Sequence, residues 1–424
     1  MDQTVKPSYR SLLSLSNYRM LLASQVVSAL GDGVYAIALI WMMKEITGSS
    51  LLMSVLIASE TVPLLIFGLF AGVIVDRGNK KKIMIVCDIA RGIIITFIAA
   101  MQTAGLLQPY MLIMAALFLS SFGAFFTPAR TVAVRTLVPG EQMMQAQSLA
   151  QMIQTLVGLV APALGALLLH YDTSYAFMFN AATFWGSALL LTLIRSRPLV
   201  EKSPEKLDRS GFARDFKEGI FAVTAHPLLR NLILYLVLIN FMLAPTTLLF
   251  PLIVGDSTEL ALFEILFVIG ITAGVLLLNL LRKLRRAAVL AAGIAMMLAG
   301  LGALTWIHPL YAELACVFIV GLGSPLANVT LQTLFVLKVP KDALGRASSL
   351  MKVLLEASRP LSTLLAGVLI LSIPVRSFFA IMAVFGMIVL GLMLLNPSIR
   401  QEPSDLPSPG SPGTAGAVPE KLDA

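Results

Sequence analysis

Two carboxylic acids, Asp32 and Glu60, stand inside long apolar stretches of the sequence. In an apolar medium a charged carboxylate costs ~3 kcal/mol or more unless it faces water or a partner. Counted from the expected outer ends of their helices, Asp32 lies about 18 Å deep and Glu60 about 15 Å. Two carboxyls at similar depth can share a proton, because desolvation and like charge both favour the neutral form. We predict that Asp32 is the main proton-binding group, with Gly31 and Gly33 leaving room beside it for water or a ligand, and that Glu60 is the second. Hydrogen bonding without titration is the alternative for each.

Two further pairs of opposite charge also fall within apolar segments. Asp88 and Arg91 are three residues apart, and Glu356 and Arg359 repeat that spacing. On a helix such pairs share a face and neutralise one another, which is the interpretation we favour. All four residues are also candidates for charged groups in a substrate cavity. In that alternative Arg359, which precedes a proline, binds an anionic group of a substrate.

The remaining ionisable and ligating residues do not predict a site. Glu264 and Glu313 are expected near outer helix ends, in contact with water. The three His and two Cys residues are scattered, and none has a second ligand at metal spacing. We expect no metal ion and no cofactor.

The elements that carry these residues are membrane-spanning helices. Hydrophobic residues make up 58% of the chain, charged residues 13%, and the mean hydropathy is +0.88, a membrane composition. The first apolar stretch is too long and too polar for a cleaved signal peptide. Apolar runs of about 20 residues predict twelve helices. Their expected ranges are 18–43, 51–75, 83–104, 109–128, 145–169, 174–194, 230–254, 260–281, 287–306, 309–337, 346–371 and 375–395.

Nearly all of the 31 Lys and Arg residues occupy one set of alternate connections between these helices, including the connection assigned to Arg130 and Arg135. The other set holds only Lys44 and Arg376. By the positive-inside rule, both termini are cytoplasmic in a multi-pass protein of the cell membrane. The net charge of +8 therefore reflects topology, and we expect the lipid bilayer, not nucleic acid, as the partner of the basic residues.

The chain divides into two halves of six helices. Val138-Pro139-x-Glu141, followed by Ala146-x-Ser148-Leu149, has a counterpart in residues 339–350 at the equivalent position before the fifth helix of the second half. Such paired repeats occur in secondary transporters. The predicted fold is all-α, with six-helix bundles at 1–194 and 230–395, a cytoplasmic linker at 195–229 with amphipathic helical spacing, and a disordered cytoplasmic tail at 396–424.

The loop after the second helix contains Gly72, Asp76, Arg77, Lys80 and Lys81. It resembles the signature of the major facilitator superfamily, G-x-x-x-D-[RK]-x-G-[RK]-[RK], at the position where that family carries it. The resemblance implies a gating motif, in which the glycine permits close helix contact, the acid pairs with a helix N-terminus or an Arg, and the cations anchor at the cytoplasmic surface.

One residue departs from this signature. Asn79 stands where the second glycine is expected, and Gly78 comes one place early. Either residue tolerates a left-handed backbone. We therefore expect the turn to be kept.

The fifth helix contains Gly158, Pro162 and Gly165, with Ala161 and Ala166 between and after them. This is similar to the Gly-Pro-x-x-Gly-Gly pattern of exporters in the same superfamily. Small residues let helices approach closely, and the proline loosens the backbone at a point of flexing. The resemblance favours export, although the composition alone is also common in membrane helices.

Segments 28–33, 126–129, 179–184 and 345–350 are similar to the branch with macrolide-efflux-type and multidrug exporters. This resemblance implies a monomeric, proton-driven antiporter of small amphipathic molecules working by alternating access, although the predicted fourth helix lacks the Arg that some drug-antiporter branches carry there. Transport of a lipid or a siderophore is the alternative. A polytopic enzyme such as an intramembrane protease is disfavoured. The sequence contains no H-E-x-x-H motif, and the residues before Asp32 do not form a G-x-G-D motif. A membrane scaffold is a further alternative, and it predicts that the protein moves no solute.

Overall fold

A computed structural model describes residues 9–195, 199, 227–281, 284–339 and 344–396 of the 424-residue chain. The described part is helical and contains no β-strand. The predicted linker at 195–229 and tail at 396–424 lie almost entirely outside the described residues. The helices are α1 (Tyr9–Ser14), α2 (Ser16–Thr47), α3 (Ser50–Arg77), α4 (Lys80–Thr103), α5 (Pro109–Leu137), α6 (Met143–Tyr171), α7 (Thr173–Thr192), α8 (Pro227–Leu243), α9 (Thr246–Ile253), α10 (Ser257–Leu280), α11 (Arg286–Ala303), α12 (Leu310–Lys338), α13 (Leu344–Leu369) and α14 (Val375–Leu395).

Twelve of these units cross the membrane. Ten described segments are long and apolar enough to do so by composition alone, with α8 and α9 counted as one broken span. The other two, α7 and α13, carry more polar residues and pack against their neighbours, α7 against α2 and α4, and α13 against α3 and α8. The all-α fold with twelve spans in two bundles is therefore confirmed.

Two helices differ from their predicted extents because of proline. The seventh span breaks between α8 and α9 at Pro245, whereas the sequence predicted one continuous helix. A proline lacks the N–H needed to continue the backbone pattern. Conversely, α5 runs through Pro128 to Leu137, so the predicted end at 128 is wrong and Arg130 is a helix residue.

The two halves contain equivalent helix contacts. In the first half α3 packs on α5, α4 on α5 and α7, and α2 on α6 and α7; the corresponding pairs in the second half also pack. The sequence repeat has matching surroundings as well, since Val138 and Val339 follow the fourth helix of each half, and both are buried beside a buried alanine, Ala146 or Ala347. The packing supports a duplicated six-helix unit.

The halves meet mainly along two helix pairs, α3 with α13 and α6 with α10, and smaller contacts join α9 to α2 and α3 and α10 to α2. We call the side with the Lys- and Arg-rich connections the basic face and the other side the opposite face. Two hydrogen bonds join the halves at the opposite face. Lys44 Nζ donates to the Val254 carbonyl at 2.8 Å, and Ser50 Oγ donates to the Gly367 carbonyl at 3.1 Å.

Short polar residues begin several helices by accepting backbone N–H groups. Ser49 caps α3, Asn79 caps α4 and Asp256 caps α10. In the connection before α7, Asp172 Oδ1 accepts bonds from the Ser174 backbone N–H and hydroxyl, and these bonds hold the pKa of the Asp172 carboxyl below its usual range. The caps fix the short connections and therefore the relative height of neighbouring spans.

Candidate functional site

A cavity of about 400 Å³ lies on the inner side of the first half, between α2, α4, α5 and α6. Its volume is within the range of small-molecule sites. Apolar side chains, among them Phe126 and Val157, line it together with a group of polar ones. The polar lining residues are Gln25, Ser28, Asp32, Arg91, Thr127, Arg130 and Gln154.

Asp32 is exposed to this cavity, but its flanking glycines do not leave the room that the sequence suggested. A Cβ at Gly31 would lie 1.9 Å from Thr183 Oγ1, and one at Gly33 would lie 2.5 Å from the Ala161 Cβ. Each glycine therefore lets α2 pack tightly, against α7 at Gly31 and against α6 at Gly33. The free space beside Asp32 belongs to the cavity, and the glycines orient the helix so that Asp32 faces it.

Glu60, on α3, is half-buried and lies close enough to Asp32 for their charges to repel one another. Both carboxylates also act electrostatically on Tyr35, which is 6% exposed. The Tyr35 hydroxyl is buried and has no hydrogen-bond partner among the described residues. The structure thus brings the two acids near one buried, unsatisfied hydroxyl, and the sharing of a proton between them stays a prediction.

Asp88 and Arg91 form an ion pair in the interior of the first half. Asp88 is fully buried, and its other oxygen accepts a hydrogen bond of 2.6 Å from Ser187 Oγ on α7. The guanidinium of Arg91 lies between two rings, 4.5 Å from the centroid of Phe126 and 4.6 Å from that of Phe184. These contacts join α4, α5 and α7, and they hold Arg91 at the cavity wall with its charge compensated.

Glu356 and Arg359 form a much looser pair on α13. Their charged atoms are 3.8 Å apart, and the Arg359 side chain is 55% exposed. Arg359 also attracts Glu60 electrostatically. Since α13 and α3 are neighbours across the boundary between the halves, this attraction acts between the two bundles.

Arg130 is the functional candidate that the sequence analysis missed. The sequence placed it in a connection because Pro128 was taken as the end of the helix, whereas α5 continues to Leu137. Arg130 and Gln25 line both the Asp32 cavity and a second cavity of about 300 Å³, which reaches the basic face near Arg135 and Gln147. The fourth span therefore does contain an arginine. The continued apolar pattern after Pro128 was the signal that could have located it.

The predicted gating motif is only partly explained. Among the described residues, no atom lies within 4 Å of a Cβ built at Gly72, and the close helix contact expected there stays a prediction. Arg77 is exposed, but Lys80 is buried and Lys81 Nζ donates to the carbonyls of Thr192 and Ile194 at 2.7 Å each. These two lysines are therefore not simple surface anchors. Asp76 lies in the last turn of α3, and its predicted partner stays a prediction.

The turn within this motif is kept, and neither of its two residues has a left-handed backbone. Both Gly78 and Asn79 have extended backbone angles, and the Asn79 side chain accepts the Lys82 backbone N–H. A side chain at Gly78 would collide with Ile83 at 2.6 Å and with the Ile74 carbonyl at 2.9 Å. Glycine is needed at 78 for space, and asparagine suits position 79 as a helix cap.

The fifth-helix pattern lies at two contacts of α6. A Cβ at Gly158 would come to 3.4 Å from Val268 of α10, and one at Gly165 to 3.7 Å from Ile37 of α2. Both are ordinary contact distances, and the closest approach occurs instead at Ala161. Pro162 is buried within the continuous helix. A role in export stays a prediction.

Two acids of the second half do not have the expected surroundings. Glu313 is not in contact with water as predicted: it is 4% exposed and accepts a hydrogen bond of 2.7 Å from Arg376. Within the described ranges Glu264 has neither a hydrogen bond nor an ion pair, although it is half-buried. In the described part of the chain no group of three or more His, Cys, Asp or Glu is placed to hold a metal ion.

The sequence profile of the Major Facilitator Superfamily matches residues 21–284 and 255–421. Macrolide efflux protein A of Streptococcus pyogenes is 27% identical over 395 residues, which cover 89% of this chain and 95% of that protein. Multidrug efflux pump Tap of Mycolicibacterium fortuitum is 27% identical over 367 residues, covering 82% of this chain and 88% of the pump.

Among solved structures, a bacterial homologue of the human lysosomal transporter Spinster, in an inward-facing and unoccupied conformation, superposes with a TM-score of 0.70. The identity is 14%, and the match covers 91% of this chain and 97% of that one. At this identity the likeness concerns the fold alone.

Proposed function

Because this chain belongs to the Major Facilitator Superfamily, we propose that it is a secondary transporter that exports small amphipathic compounds across the cell membrane in exchange for protons. The names of its relatives, macrolide efflux protein A and multidrug efflux pump Tap, support export as the direction and drugs as the substrate class. The basic face is assigned to the cytoplasm by the positive-inside rule.

The observation that carries the proposal is Asp32, an acid in the middle of a membrane helix that is exposed to a cavity with both apolar and polar walls. An acid at such a depth is a functional candidate by default, because its charge is costly away from water. Apolar walls suit the body of an amphipathic compound, and a carboxylate can hold either a proton or a cationic group of the compound. Competition between these two occupants would couple export to proton entry.

Alternating access is supported by the position of the contacts between the halves. The hydrogen bonds of Lys44 and Ser50 across the boundary lie at the opposite face, while the cavities extend towards the basic face. In this arrangement the cavity opens to the cytoplasm. Rocking of the bundles about the bound compound would then open the other side. The first half alone supplies the Asp32 cavity, and a monomer is the proposed functional unit.

The test replaces Asp32 by Asn in purified protein reconstituted into liposomes with an imposed pH gradient. Asparagine keeps the shape and removes the titration, so accumulation of a fluorescent cationic dye against its gradient should be abolished while equilibrium binding of the dye remains. Glu60→Gln is the matched control. Loss of accumulation only in Glu60→Gln would move the coupling role to Glu60, and undiminished accumulation in both variants would refute proton exchange through these acids.

A further inference from the structure

Arg130 differs from the other arginines placed well inside spans in what surrounds its guanidinium. Arg91 has Asp88 and two aromatic rings, and Arg359 has Glu356 beside it. Arg130 is partly buried, and in the part of the chain that the structure describes it has neither a hydrogen bond nor an ion pair. Its five N–H donors therefore lack an acceptor from the protein.

The charges near Arg130 leave its own charge only partly compensated. Asp32 attracts it from within the cavity but does not come within ion-pair distance, and Arg91 repels it. The charge of Arg91 is already balanced by Asp88. On the side of the basic face, Arg135 lines the same second cavity. The surroundings thus favour an additional negative group at Arg130.

The position of Arg130 suits a ligand better than a structural partner. It lines both cavities, at the place where they adjoin, together with Gln25. Gln154 contributes a further amide to the wall of the deeper cavity, and Phe126 an aromatic ring. A planar guanidinium binds a carboxylate through two parallel hydrogen bonds, and amide N–H groups can add to them.

We propose that Arg130 binds a carboxylate of the exported compound, so that the substrates include zwitterionic amphipathic molecules. The cationic group of such a molecule lies towards Asp32, where it competes with a proton, and its carboxylate lies at Arg130. This inference rests on the proposed function, because it takes the Asp32 cavity as the substrate site. It adds a selectivity for compounds with a free carboxylate over the corresponding esters.

The experiment compares two xanthene dyes that share one cationic ring system, rhodamine B with its free benzoate and the ethyl ester of rhodamine B. Binding to the purified full-length protein in lipid nanodiscs is measured by fluorescence anisotropy. Arg130→Gln should weaken binding of the carboxylate dye by about tenfold or more, the scale of a lost charge-assisted pair. Binding of the ester dye should change by less than about twofold, within ordinary context effects.

Two further variants keep the result interpretable. Arg130→Lys retains the charge without the planar fork, so it should weaken binding of the carboxylate dye less than Arg130→Gln does. Arg230→Gln makes the same substitution at an exposed arginine that lines neither cavity, and it should leave the ratio of the two affinities unchanged. The unfolding temperature of each variant reports whether it remains folded, and Arg130→Lys takes the place of Arg130→Gln if the latter does not.

The outcomes separate the inference from a simple counter-ion role and from failure of the proposed function. If Arg130 served only to balance Asp32, its loss would strengthen binding of both cationic dyes alike, and that result would overturn the inference. If Arg130→Gln selectively lost binding of the carboxylate dye, but the parent protein transported neither dye in liposomes, the result would support the binding site and contradict export. Saturable binding of neither dye to the parent protein would contradict both.

Discussion

At the scale of single residues, the surroundings of an ion pair decide how much the pair contributes to the stability of the fold. Asp88 and Arg91 are both almost fully buried, and the pair is completed by the Ser187 hydroxyl and two aromatic rings. Removing one member would leave the other charged and buried. Glu356 and Arg359 have the same spacing in sequence, but their side chains are 32% and 55% exposed. Solvent can replace either partner there.

We therefore expect Asp88→Asn to lower the free energy of unfolding by about 3–5 kcal/mol, because the Arg91 charge loses its counter-charge in the protein interior. Glu356→Gln, the matched variant, should lower it by less than ~1 kcal/mol. Thermal unfolding in detergent measures both. The double variant Asp88→Asn, Arg91→Gln should recover part of the loss, since no unpaired charge remains. Equal shifts for the two single variants would contradict the assignment of the buried pair.

At the scale of helices, the orientation of α2 decides what Asp32 can do. Gly31 and Gly33 are neighbours of Asp32 in sequence, and each faces a different helix at a distance that excludes a side chain. Consecutive residues on a helix point in different directions. With Gly31 packed against α7 and Gly33 against α6, the side chain of Asp32 between them points into the cavity. The function of the acid thus depends on two contacts that contain no charge.

Gly31→Ala tests this dependence. The added methyl group would overlap Thr183 Oγ1, so α2 must move away from α7, and we expect a destabilisation of about 1–3 kcal/mol as for other overpacked positions. Substrate efflux should fall with it, because Asp32 is displaced. Gly186→Ala, at the same contact between α2 and α7, is the control, since its added Cβ would lie at an ordinary 3.7 Å from Val27. An unchanged melting temperature for Gly31→Ala would show that the packing at this contact is looser than described.

At the scale of the whole molecule, the closure at the opposite face holds the two bundles in one relative orientation. Lys44 Nζ lies 4.4 Å from the centroid of the Trp41 ring and donates to the Val254 carbonyl of the second half. Asp256 and Glu259 of the second half also attract it. Lys44 of the first half therefore binds a segment of the second half that supplies a carbonyl acceptor and two acidic side chains.

Lys44→Met should weaken this closure, because methionine retains the apolar stem but removes the charged donor. Loss of one charged hydrogen bond of ~1.5 kcal/mol corresponds to a shift of about tenfold in the ratio of the two conformations. Spin labels on Leu106→Cys and Ser372→Cys, both exposed at the opposite face, would report longer distances by double electron–electron resonance. Lys82→Met at the basic face is the control, and an identical distance distribution in the Lys44 variant would rule out a role in closure.

The orientation in the membrane has its own test. Both native cysteines are buried, so introduced thiols can be labelled selectively. Tyr311→Cys, at a site 86% exposed at the opposite face, should react with an impermeant maleimide in intact cells, whereas Met144→Cys, at a site 77% exposed at the basic face, should react only after permeabilisation. The reverse pattern would invert the assignment made from the basic residues.

The sequence by itself determined the class of the fold, the approximate position of the spans and the family. Transfer of an apolar run into lipid depends on the run alone, and all its backbone groups are satisfied within one helix. The span predicted at 375–395 therefore has the observed bounds, and the one predicted at 83–104 is observed at 80–103. The loop charges and the motif around Gly72 are equally local signals. Two helix boundaries were predicted wrongly at prolines, Pro128 and Pro245, because neighbouring helices decide whether a proline ends a helix.

Only the tertiary structure decided which polar residues meet. Asp88 finds Ser187, a residue 99 positions away, and Gly31 packs against Thr183 on a helix from the far end of the same half. Arg130 faces the Asp32 cavity only because α5 continues past Pro128. Burial, charge compensation and free space at these residues depend on side chains contributed by other helices. No pattern within one span contains that information, since the direction a helix face points is set by the neighbours against which it packs.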